Sequence, residues 1–127
     1  MLDELIRNGM NLSRFAERVN LSDSTLHNAN HRGVLYGEPT KLAGLLRHIA
    51  KLLSRANLRD QSIDYICKET LIKEAHVAER LGISKQALNK NKTNFSALRQ
   101  ERIAIEFRFL GQVFEEISKR LDEVNKQ

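Results

Sequence analysis

Apolar residues recur along this chain at intervals of three and four almost from end to end, and no strict alternation lasts more than a few residues. That periodicity predicts an all-α protein. A short first helix is expected to use Leu2, Leu5 and Ile6 and to stop at Asn8-Gly9, where glycine takes a left-handed conformation without strain. A second helix is expected from Asn11 to about Val19 and a third from Ser22 to about Asn30, closed by Gly33. Leu42, Leu45, Leu46, Ile49, Leu52 and Leu53 share one face of a longer helix, which Thr40 can cap just after Pro39. Asp60 can cap a fifth helix that buries Ile63, Ile66 and Cys67, and two short helices follow at about 73–81 and 84–92.

A long final helix is expected from about Phe95 to Val124. Within it Ile103, Phe107, Leu110, Phe114, Ile117, Leu121 and Val124 are spaced 4-3-4-3-4-3, an apolar heptad seam of the coiled-coil kind. Such a seam needs a partner, and a second copy of the chain in a two-fold dimer is the leading one, the alternative being that the entire helix folds back on its own chain. Ile105, Phe109 and Val113 widen the apolar face of the first half, which is therefore expected to pack on the body of the protein as well. The expected organisation is one small helical module at 1–56, a second at 57–94 and the dimerisation helix at 95–127.

An internal repeat gives the first chemical clue. A shift of 62 residues places Ala16-Glu17-Arg18-Val19-Asn20-Leu21-Ser22 on Ala78-Glu79-Arg80-Leu81-Gly82-Ile83-Ser84, with Leu26 on Leu88, and five of the twelve positions from 16 to 27 are identical. In each copy a small residue, Ala16 or Ala78, stands where two crossing helices approach closely. Four residues on, Gly82 adopts a positive φ freely and Asn20 tolerates one. Phe15, Val19, Leu21 and Leu26, like Val77, Leu81, Ile83 and Leu88, are placed to face a supporting helix, and Ser22 and Ser84 to cap the second helix of each pair. These residues resemble the helix-turn-helix DNA-binding superfamily over about 20 positions in each copy. The first copy, with Arg32-Gly33, Pro39 and the helix from Leu42 to Leu53, looks like the Cro and phage-repressor family over roughly residues 1–56. Asn20 departs from the usual turn glycine, and Asn91 from the apolar residue that usually ends the recognition helix.

The resemblance implies that the second helix of each pair lies in the major groove. In the second copy the groove-facing stripe is then Ser84, Lys85, Gln86, Asn89, Lys90 and Thr93. Lys85 can donate to guanine, Gln86 and Asn89 can pair with adenine, and Lys90 and Lys92 suit phosphates. The first copy's stripe, Ser22, Asp23, Ser24, His27, Asn28 and His31, is neutral to acidic. Residues 1–33 hold four basic and four acidic groups, whereas 73–102 hold seven and three. Since phosphate neutralisation supplies most non-specific affinity, the main DNA contact is expected from the second copy, with Ser24, His27, Asn28 and His31 as weaker contributors or as part of a packing or partner surface.

Composition narrows the function classes. In 127 residues the chain holds 41% hydrophobic and 29% charged residues, one proline, six scattered glycines and a net charge of +5. The turn residues are too few for a sandwich of many short strands, and the basic excess suits nucleic acid. Cys67 is the single cysteine, and His27 and His31, four apart, lack a Cys or carboxylate at ligand spacing, so neither a disulfide nor a metal is expected. No stretch approaches the ~20 apolar residues of a membrane span, and a start with Asp3 and Glu4 does not resemble a signal peptide. A soluble, cytoplasmic, nucleoid-associated protein is expected. With no phosphate-binding glycine loop, no His-Glu-x-x-His and no nucleophile with a partner, an enzyme is disfavoured and no cofactor is expected. The leading expectation is a dimeric, sequence-specific repressor or regulator of bacterial or phage type that binds an inverted-repeat operator. A plasmid or phage protein of segregation, replication control or conjugation would use the same parts. A protein-binding adaptor, such as an antitoxin or anti-repressor, is the alternative of another class.

Overall fold

The computed structural model describes residues 2–19 and 39–125, with side chains placed for 3–19 and 42–123. The fold is all-α, and among the described residues the only β-type pairing is an isolated bridge between Met10 and Ile72. The helices are α1 (Leu2–Arg7), α2 (Leu12–Arg18), α3 (Pro39–Ser54), α4 (Ile63–Thr70), α5 (Glu74–Leu81), α6 (Lys85–Asn91) and the long C-terminal α7 (Ala97–Asn125). The expected helix at 22–30 lies outside the described residues.

Local chemistry accounts for most boundaries. Helix α1 ends at Gly9, whose φ of +91° is open to glycine, and a Cβ there would come within 2.6 Å of the His76 ring. The Asn11 side chain accepts from the Arg14 amide at the start of α2. Helix α3 begins at Pro39 itself, so Thr40 sits inside the first turn instead of capping it, and proline suits that position because its missing N–H is not needed there. Helix α4 is capped by Ser62, which accepts from the Tyr65 amide at 3.0 Å, and not by Asp60. Asp60 sits two residues earlier, in the preceding turn, and accepts from Asn57 Nδ2. The Ser96 hydroxyl, accepting from the Arg99 amide, opens α7 two residues later than Phe95.

The main core forms between α3 and α7, which make the most extensive helix contact among the described residues. Leu42, Leu46, Ile49 and Leu53 of α3 are fully covered, and so are Ile103, Phe107, Phe114 and Ile117 of α7. Gly111 allows the close approach: a Cβ there would lie 3.0 Å from the Ala50 carbonyl oxygen and 3.2 Å from the Leu53 Cβ. One hydrophobic cluster continues from this layer through Leu5, Met10, Phe15 and Ala16 to Ile66, Cys67, Val77 and Leu88, so the segments 1–56, 57–94 and 95–127 share it. Ion pairs seal the edges of α7: Arg120 reaches Glu4 at 2.5 Å, Arg80 reaches Glu106 at 3.1 Å, and Arg47 pairs with Asp122.

This packing corrects the expected use of the heptad seam. Ile103, Phe107, Leu110, Phe114, Ile117 and Leu121 are each 5% exposed or less within a single chain, so α3 and its neighbours fill the place assigned to a second copy. The Val124 side chain lies outside those described. The expected phase is inverted as well. Ile105 and Phe109, expected to face the body, are 55% and 49% exposed, and only Val113 is partly covered. Because the seam is the core, Leu110→Asp should not yield a folded monomer. Placing a carboxylate there should cost several kcal/mol, and circular dichroism should show loss of the cooperative melt.

Candidate nucleic-acid interface

The second copy of the repeat forms two helices joined by a tight turn. Gly82 ends α5 in the left-handed conformation, φ 73°, and its amide and that of Ile83 return to the Glu79 and Ala78 carbonyls at 3.0 Å. Ser84 then starts α6, its hydroxyl accepting from the Ala87 amide at 3.0 Å. Val77, Ala78, Leu81 and Leu88 are buried and Ile83 packs against the core, as the sequence pattern requires. In the first copy the described counterparts Phe15, Ala16 and Val19 are buried too. Ser24, His27, Asn28 and His31 lie outside the described residues.

Outward from α6 stand Ser84, Lys85, Gln86, Asn89, Lys90 and Thr93, all exposed. The structure therefore brings together on one open edge two ammonium groups, two carboxamides and two hydroxyls, while Leu88 anchors the opposite side with no exposure at all. Asn91, which departs from the apolar residue usual at the end of a recognition helix, is exposed, and its side chain donates back to the Ala87 carbonyl. Phe95 supplies an apolar side chain just beyond, packed against the core.

Lys92 departs from its expected role. Its ammonium is paired with Glu74 at 2.9 Å and with Asp64, leaving the side chain 17% exposed, so it joins the end of α6 to α4 and α5 and does not reach outward to a phosphate. Burial opposes its charge, but the two carboxylates more than offset this and its pKa is raised. Glu74 and the Lys92 ammonium beside it hold Asp64 below the usual carboxylate range. Burial and the nearby Glu74 charge push the Cys67 thiol up to about 12. Burial lowers the pKa of His76, whose Nε2 is enclosed and has no hydrogen-bond partner among the described residues.

Further cations around this edge are not legible as a group in the sequence. Arg14, Lys68 and Lys73 line an open cleft of about 610 Å³ together with Asn11 and Lys85, the first residue of α6. They are far apart in sequence, and the backbone joins them: the Asn11 amide donates to the Leu71 carbonyl and the Lys73 amide to the Gly9 carbonyl, both at 2.8 Å. Among the described residues no group of three or more His, Cys, Asp or Glu is placed to hold a metal ion, and no helix is long and apolar enough to cross a membrane. Comparison with known proteins finds no matching family model, curated protein or solved structure.

Two measurements check this chemistry. A folded chain with the Cys67 thiol neutral and covered should resist alkylation near neutral pH and react once denatured, read by mass spectrometry. Asp64, with its folded pKa depressed, adds stability that is present above its ordinary pKa near about 4 and lost as pH falls through the lower folded value. Lys92→Ala should therefore lower the melting temperature at pH 7 and reduce the further loss on going to pH 3.

Proposed function

We propose that the chain is a sequence-specific double-stranded DNA-binding protein, a regulator of bacterial or phage type, that reads its target with α6. The observation that carries this reading is the outward edge of α6, where Lys85, Gln86, Asn89 and Lys90 stand exposed while Leu88 and Lys92 fix the helix from behind. Lysine can donate to guanine and carboxamides can pair with adenine along such an edge, so its chemistry suits the major groove. Steric blocking of a promoter is the simplest regulatory use. A role in segregation, replication control or conjugation would draw on the same contacts. An inverted-repeat target requires two copies, and with the seam buried their pairing would use another surface. Leu98, Ile105 and Phe109, 83%, 55% and 49% exposed, follow one face of α7. The same residues favour the second reading, a protein-binding adaptor.

Selection of bound sequences from a random duplex pool, followed by affinity measured at several salt concentrations, separates the two. Enrichment of a defined site supports the DNA reader, and an unenriched pool with weak binding supports the adaptor. Lys85→Ala with Lys90→Ala should then weaken binding, relax the base preference at the position Lys85 reads, and lower the slope of log affinity against log salt by about one, for the phosphate-reaching Lys90 ammonium. Lys92→Met should lower thermal stability and leave that slope nearly unchanged.

A further inference from the structure

The cleft beside α6 carries more charge than the reading of α6 uses. Arg14 comes from α2, Lys68 from α4, Lys73 from the connection before α5, and Lys85 from the first turn of α6, and the four line one open space of about 610 Å³. All four are exposed, and among the described residues none of them makes a salt bridge, in contrast to Arg47, Arg80, Arg108, Arg120 and Lys92. Asp64 and Glu74 also line the cleft, but both are paired with Lys92. That trio carries one net negative charge against four positive ones. A smaller hollow of about 270 Å³ shares Arg14, Lys68 and Leu71 and adds Arg18 and Glu17, so the cationic track continues along α2.

Resting on the DNA reading of α6, we propose that this cleft seats the phosphate backbone of the same duplex, with Arg14, Lys68 and Lys73 forming a clamp beside the groove that α6 enters. Unpaired cations spread along both banks of an open cleft fit a polyanion that passes through better than a small anion that would need enclosure. Lys85 belongs both to the cleft and to the outward edge of α6, so a strand held there leads directly onto the base-reading surface. The paired backbones of Gly9–Asn11 and Leu71–Lys73 fix the distance between the banks. The clamp therefore sets register and adds affinity without reading sequence.

The test is the double variant Arg14→Ala with Lys68→Ala in the full chain, measured on the duplex selected by the wild type, with melting temperature as the folding control. Affinity should fall about 10-fold or more at 0.15 M salt, and the salt slope should drop by about two, with the selected base sequence unchanged. The charge-keeping pair Arg14→Lys with Lys68→Arg should restore most of the binding. Wild-type affinity and slope in the alanine pair would overturn the clamp and leave the α6 reading standing. An altered base preference with an unchanged slope would also overturn it. A wild-type chain that selects no duplex would instead remove the α6 reading, and the clamp with it.

Discussion

Burial of one face of α7 against α3 is the constraint on which the rest of the molecule depends. Six heptad positions of α7 are buried against α3 and its neighbours, and Gly111 lets the α3 and α7 backbones come close enough for Ile49 and Leu53 to be fully covered. Each of these side chains contributes on the order of 1.5–3 kcal/mol of burial, far more than an exposed ion pair such as Arg47–Asp122. The ion pairs along α7 therefore align its edges and the apolar layer holds it. With α3 and α7 fixed, the shorter helices have a surface to pack on, which helices of six to eight residues need because they are marginal alone.

The second constraint is the short backbone joint at Gly9–Asn11 and Leu71–Lys73. It uses two left-handed residues, Gly9 and Leu71, and the second is costly for a side chain with a Cβ. Leu71 is tolerated there because it ends α4 and buries its own side chain, 3% exposed, in the shared core. Through this joint the start of α2 is held against the start of α5, and cations from both halves of the chain come to face one cleft.

Much of this fold was legible in the sequence because it is set locally. Gly82 and Ser84 specify the turn between α5 and α6 through their own backbone preferences, and Asn8-Gly9 specifies the end of α1. The use of the heptad seam was not legible, because a 4-3 spacing demands an apolar partner without saying whether it lies in the same chain or another. Ser62 prevailed over Asp60 as the cap of α4 by a register difference of two residues, within the usual uncertainty of helix ends. In the candidate site, the outward stripe of α6 followed from helical spacing. Lys92 did not, since the carboxylates that hold it stand 18 and 28 residues away. Arg14, Lys68 and Lys73 are not legible as a group, because they lie far apart along the chain and the joint gathers them across segments.

The anchoring of Lys92 has a mechanical consequence. A seven-residue helix held by a buried leucine on one side and tied at its far end to two other helices has little freedom to swivel. Any surface that docks on it meets a stiff template, and the work of conforming falls on the incoming molecule.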